Sequence, residues 1–414
     1  MDECMQLFFV DNRRKINMIL LLALVLMFIN TITAIKFIPS GRSGQAAIYY
    51  NYKLYFYNNS GSNEFFTLDV SNNFNINAPK FDELDVDKLN ISSYDITFAT
   101  SVIFNSVIYS FGSQVNNTVK LFSMNLSSSP LFWKSETDSS RANAPYGLDG
   151  LTSIIDSSTG KIYLFNGYDT MYVWNIYKSN WRFFPIDTTT CFPKVYYTAT
   201  YLENLRQIIY LGGLCGNYQI NIDEILPMDQ TAQMKNYLPS RAGHSACLVA
   251  NNKILIYGGH SDPPLNASNI LAILEVNNDT GTYIWNTPNI AYQTDQAIPF
   301  YHSATLVNNT YMIVAFGNIN KQSVEDPSPI SVLKVDAEND EYQWLNSIDE
   351  PISAPTNQSN NNIASTSKKE EHTNIRAIII ISGICSGYVV LLILIVIIVF
   401  IKHKTKPSRN FVIK

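Results

Sequence analysis

The chain has few of the residue types that usually carry catalysis or hold metals. It contains five histidines and five cysteines among 414 residues. His244 and His302 stand at the same point of consecutive repeats, which marks a packing role. His260 follows a glycine pair at a loop, and His372 and His403 lie near the C-terminus, outside the repeats. A metal centre needs three or four convergent ligands, and the sequence does not gather them. No G-x-S-x-G elbow, no H-E-x-x-H pair and no phosphate-cradling glycine loop is present. The net charge of −5 is spread along the chain without a basic stripe, so nucleic-acid binding has no electrostatic footprint.

What the chain does have is self-similarity. Six apolar runs end in a Gly-like turn. The clearest are Ile208–Gly213 and Ile254–Gly259; weaker ones are Val107–Gly112, Ile162–Gly167 and Met312–Gly317, with a worn first copy at Lys53–Asn58. Their last residues stand 54, 55, 46, 46 and 58 apart. A period near fifty predicts one four-stranded sheet repeated radially, an all-β propeller. Tyr (25) and Phe (22) are abundant, which suits strands.

The fifth copy shows the unit best. An inner strand at Arg241–Val249 turns at Asn251–Asn252; Ile254–Tyr257 is the second strand, Ile270–Val276 the third, and Tyr283–Trp285 begins the fourth. The sixth repeats it through His302, Asn308–Asn309, Val332–Val335 and Trp344. Trp181 and Trp133 mark the third and second copies, while the fourth has Glu224–Met228 as third strand and Met234 where a Trp is expected. Apolar runs suit strands covered on both faces, and each Trp is placed to bury a large area between blades. Asp82, Glu83, Asp85 and Asp87 read as a solvated loop between blades.

This pattern (a small residue and His on the inner strand, a run into Gly-Gly, then spaced Tyr and Trp) resembles the kelch repeat of the galactose oxidase-like propellers. The resemblance covers about residues 35–350 and implies six blades, or five or seven if an end repeat is miscounted. It also implies a rival reading, a copper-dependent oxidase of carbohydrates or alcohols, whose metal is held by a Tyr-His pair, a second His and a Cys-linked Tyr. Tyr301–His302 matches the adjacent pair, but no further His lies in a plausible downstream loop. No cofactor is expected.

The remaining segments set a topology. Arg13-Arg14-Lys15 precedes an apolar stretch ending in Thr33-Ala34, a secretory signal over residues 1–34, cleaved after Ala34 or kept as an anchor. Residues 351–376 are polar and aperiodic, a flexible stalk. Ala377–Ile401 is 25 residues without a charge, about 37 Å as a helix, enough to span a bilayer. The basic tail, residues 402–414, places the C-terminus in the cytosol. The expected product is a type I membrane protein at the plasma membrane or in the secretory pathway, its propeller extracellular or lumenal.

Sequons at Asn58, Asn90, Asn116, Asn125, Asn266, Asn278, Asn308 and Asn357 agree with that side of the membrane. None lies between Asn125 and Asn266, so this flank, with Tyr168, Tyr172 and Tyr218, is a candidate partner surface. Cys191 and Cys215 could bridge the third-to-fourth repeat connection, although sequence does not fix connectivity; Cys247 reads as a buried thiol. Gly383 and Gly387 form a G-x-x-x-G in the spanning segment, a candidate helix-dimer contact. The function expected is a non-enzymatic platform binding a protein or glycan ligand.

Overall fold

The computed structural model describes residues 37–57, 64–85, 99–115, 118–136, 150–186, 194–216, 218–220, 224–225, 230–231, 233–234, 238–266, 268–277, 280–288, 290, 298–319 and 330–348. All of them belong to the first of two compact units, which divide after Pro355. The segments expected to be the signal, stalk, membrane span and tail lie outside the described residues. Among the described residues no helix is long and apolar enough to cross a membrane.

The architecture is an all-β propeller. Five antiparallel sheets follow the repeats, their strands adjacent in chain order. The first holds Ala46–Tyr50, Lys53–Tyr57, Phe65–Asp69 and Phe81–Leu84; the second Thr100–Phe104, Val107–Val115, Thr118–Asn125 and Lys134–Ser135. The third holds Ser153–Asp156, Lys161–Phe165, Thr170–Asn175 and Asn180–Pro185. The fifth repeat gives Ser245–Val249, Lys253–Tyr257, Leu271–Asn277 and Thr282–Asn286; the sixth Ser303–Val307, Tyr311–Ala315, Ile330–Asp336 and Glu341–Leu345.

The blade count is five, not the expected six, and the fourth repeat makes the difference. It contributes a two-stranded hairpin, Thr198–Leu202 with Gln207–Leu211. Of its expected third strand only Glu224–Ile225 lies among the described residues, and it pairs with Gln230–Thr231 as a separate ribbon. Met234, expected in the place of a Trp, lies instead on Gln233–Met234, a parallel fifth strand on the edge of the fifth-repeat blade. The hairpin's inner strand still sits between those of the third and fifth repeats, so inner strands follow one another in a closed ring.

Local chemistry explains the hairpins. Asn51–Tyr52 and Asn105–Ser106 form two-residue turns with both residues at positive φ, the requirement of the tight turn that matches strand twist; Asn251–Asn252 and Asn308–Asn309 place the same pair of positive φ within three-residue loops. Asparagine reaches that region at low cost.

The core is distributed between blades. Phe56, Phe66 and Leu68 of the first blade pack with Ile313, Ala315 and Val332 of the last; Leu255, Tyr257 and Ile273 meet Met312, Val314 and Leu333. In three blades an outer Trp rests on the preceding repeat, Trp133 at 5.3 Å from Tyr57, Trp181 at 5.9 Å from Phe111 and Trp344 at 5.2 Å from Tyr257. In the first blade Phe81 takes this place, 6.0 Å from Phe316.

Residues 37–40 carry no strand. At the ring closure the Gly317 N–H donates to the Arg42 carbonyl at 2.9 Å, as the Gly259 N–H does to Pro299 between the fifth and sixth repeats. Phe74–Asn75 adds a short pairing with Ser347–Ile348.

Candidate functional site

The residues just before the inner strands converge on the propeller axis. Gly44, Gly150, Tyr196, Gly243 and Tyr301 occupy equivalent points of five repeats, and all have left-handed backbone, φ 55 to 71°. Their peptide groups form an arc around the axis. The Tyr196 N–H donates to the Gly150 carbonyl at 3.2 Å, Gly243 to Tyr196 at 2.9 Å, Tyr301 to Gly243 at 2.8 Å and Gly44 to Tyr301 at 2.8 Å. A glycine takes this conformation freely, whereas a tyrosine is strained there by on the order of 1–2 kcal/mol.

Tyr196 and Tyr301 therefore hold costly positions, and their rings meet on the axis with centroids 4.8 Å apart. Tyr301 lies over Gly243, where an added Cβ would come within 2.6 Å of its ring. Both rings are half-buried. Burial, and then the neighbouring Tyr196, raise the Tyr301 phenol above its ordinary range, so it is neutral at physiological pH. With Thr100, Thr152, Gln45 and His302 they line a cavity of about 200 Å³ at the mouth of the axis. Its lining carries no carboxylate, lysine or arginine. The chemistry available is ring stacking and neutral hydrogen bonding.

Behind the mouth, side chains stitch neighbouring repeats. Thr100 Oγ1 lies 2.9 Å from Ser153 Oγ, the Thr152 hydroxyl donates to the Tyr197 carbonyl at 2.9 Å, and Thr198 Oγ1 bonds His244 Nε2 at 2.9 Å. Ser245 Oγ bonds His302 Nε2 at 2.8 Å, and Gln45 Nε2 donates to Ser303 Oγ at 3.0 Å, closing last repeat to first. His302 is pushed down to about 4, chiefly by burial, with the Pro299 carbonyl opposing. His244 is held well below the ordinary range by burial, then by Arg241, His302 and Lys194, with the Arg241 carbonyl opposing. Both imidazoles are neutral structural links.

Sequence reasoning missed the counterpart of the Arg241–His244 segment in the first repeat, Arg42-Ser43-Gly44-Gln45, although residue types and spacing match. Arg241 is wholly buried and donates to the carbonyls of Asn269 at 2.9 Å and of Gly258 and Ile270 at 3.4 Å. Burial lowers it to about 10, so it keeps its charge. Arg42 lies over the Phe66 ring at 4.4 Å and the Phe316 ring at 5.2 Å and pairs with Glu64.

The other predicted residues are scattered. Asn125 and Asn266 are exposed, whereas Asn308 is half-buried and its Oδ1 accepts the Tyr49 hydroxyl at 2.9 Å. Asn58, Asn90, Asn116, Asn278, Asn357, Cys191, Gly383 and Gly387 lie outside the described residues. Cys215 is disulfide-bonded and pairs in register with Lys194. Cys247 is a buried free thiol, pushed up to about 12 by burial. Asp82 and Glu83 are exposed, but on the outer strand Phe81–Leu84, not in a loop. On the sequon-free flank Tyr172 packs edge-on against Trp181. The exposed aromatics there, among the described residues, are Phe132, Tyr177, Phe183 and Phe184.

The described residues do not assemble the ligands of a copper centre. His302 Nε2 is engaged by Ser245, and no group of three His, Cys, Asp or Glu converges among the described residues.

No family model matches the chain, and no curated protein matches it either. Among solved structures it is similar to YjhT, with a TM-score of 0.50 and 13% identity over 74% of this chain and 98% of that one. The two share the propeller fold, and at this identity nothing finer is carried over.

Proposed function

We propose that this chain is a non-enzymatic binding platform, a kelch-type propeller held on the non-cytosolic side of a membrane by the segment 377–401. The observation that carries the binding reading is the pair of left-handed tyrosines. Three equivalent positions use glycine, so placing Tyr196 and Tyr301 on the axis costs stability that packing alone does not require. Such strain concentrates where side chains meet a ligand. A protein or glycan group entering the mouth would stack on these rings and bond the hydroxyls of Thr100 and Thr152.

Exposed Phe183 and Phe184 on the sequon-free flank support a protein partner there. Gly383 and Gly387 suit a homodimer contact within the membrane, and the sequons suit a glycoprotein. The copper oxidase reading is weaker because the axial histidines are spent on neighbouring blades.

Proximity labelling from an enzyme fused before the stalk, on intact cells, tests topology and partner class together. The expected labels are surface or lumenal proteins. A cytosolic set contradicts the topology, and peroxide release with a bound stoichiometric copper contradicts the non-enzymatic reading.

A further inference from the structure

A second concavity lies where the ring closes. Phe74–Asn75 pairs with Ser347–Ile348, joining the first blade to the end of the last. Beside this ribbon is a cavity of about 400 Å³ lined by Asn73, Phe74, Asn75, Asn77, Asn346 and Ser347. The size falls in the range of small-ligand sites, roughly 300–1,000 Å³.

The strand period builds its lining. Phe74 and Ile76 turn to the core cluster between first and last blades, so Asn73, Asn75 and Asn77 are left exposed on the other face. Asn346 is exposed from the partner segment. Asn75 Oδ1 accepts the Asn77 N–H at 2.8 Å, which fixes the orientation of that carboxamide. No lining residue is charged.

We propose that this seam cleft binds a neutral, hydroxyl-rich ligand, a segment of an oligosaccharide. A carboxamide presents an acceptor and two donors side by side, which matches adjacent hydroxyls that both give and accept. A phosphate, sulfate or carboxylate would give up hydration here and meet no counter-charge. The site is separate from the axial mouth and does not depend on it.

The test uses the full chain in a detergent without a sugar head group, before and after enzymatic deglycosylation. It is applied to an array of neutral, sialylated and sulfated oligosaccharides. Neutral glycans are expected to bind at least tenfold better than charged ones. Asn75→Ala and Asn346→Ala, both at exposed positions, should each weaken binding by about five- to tenfold, the loss of one or two hydrogen bonds. Thermal midpoints should move little, since both side chains are exposed. Binding in both states assigns free oligosaccharide as ligand; binding only after deglycosylation assigns the chain's own glycan as occupant. No neutral binding in either state, a preference for charged glycans, or indifference to both asparagine variants overturns the proposal.

Discussion

Ser245 Oγ and His302 Nε2 lie 2.8 Å apart across the boundary between the fifth and sixth repeats, both side chains buried. The same geometry recurs one repeat earlier between Thr198 and His244. Neutral imidazole is therefore part of what holds adjacent sheets in register, and acid should loosen the ring.

The direction follows from burial. His302 titrates near 4 in the fold, against about 6.5 in an unfolded chain, so between these values the unfolded state binds more protons. Its contribution is complete above pH 6.5 and is lost as pH falls toward 4, about 3 kcal/mol in all; His244 acts with the same sign. Chemical denaturation at pH 7.5 and pH 5 should show a marked drop at the lower pH. Gln45 fills the equivalent position in the first repeat, so His302→Gln should keep the fold and reduce that drop, leaving the part due to His244. A stability independent of pH in the parent protein would remove this role.

The first glycine of the pair in the fifth repeat is fixed by a neighbour's backbone. Gly258 has φ +63°, and an added Cβ would run into the Pro299 carbonyl and the His302 ring. Gly258→Ala should cost about 2–5 kcal/mol, from left-handed strain and overpacking together. Gly41→Ala, where a Cβ meets nothing within 4 Å, should change stability by less than about 0.5 kcal/mol. Thermal melts of the two variants check the contrast, and equal midpoints would contradict it.

Cysteine chemistry divides in the same concrete way. Cys215 is bonded and lies opposite Lys194, three residues after Cys191, so non-reducing peptide mapping should recover a Cys191–Cys215 link. Cys247 should resist alkylation in the native protein at pH 8 and react on unfolding, because burial holds its thiol protonated. Rapid native labelling of Cys247, or a different partner for Cys215, would count against this arrangement.

Much of the ring was legible in the sequence because its causes are local. Asn251–Asn252 and Asn308–Asn309 announce their turns, and Gly212–Gly213 and Gly258–Gly259 mark the ends of second strands. What was not legible depends on neighbours in space. Phe81 replaces a Trp in the first blade because Phe316 and Phe56 surround it. Met234 joins the next blade because an open edge lies there. Of the axial site only Tyr301–His302 stood out in the sequence, and as a match to a metal-binding pair, not as a stacked mouth. Tyr196 and Tyr301 look like ordinary strand aromatics until the repeats are aligned on Gly44, Gly150 and Gly243, when each stands where glycine is favoured.

Repeating the ectodomain proximity labelling with a Tyr196→Gly/Tyr301→Gly double variant tests the account most directly. Both changes install the residue that Gly44, Gly150 and Gly243 already use, so the ring should persist and only the stacked phenols should go. The account predicts a set of non-cytosolic neighbours around the parent protein that is depleted at least severalfold around an equally abundant variant. Identical neighbours for the two proteins, or cytosolic neighbours for either, would contradict it.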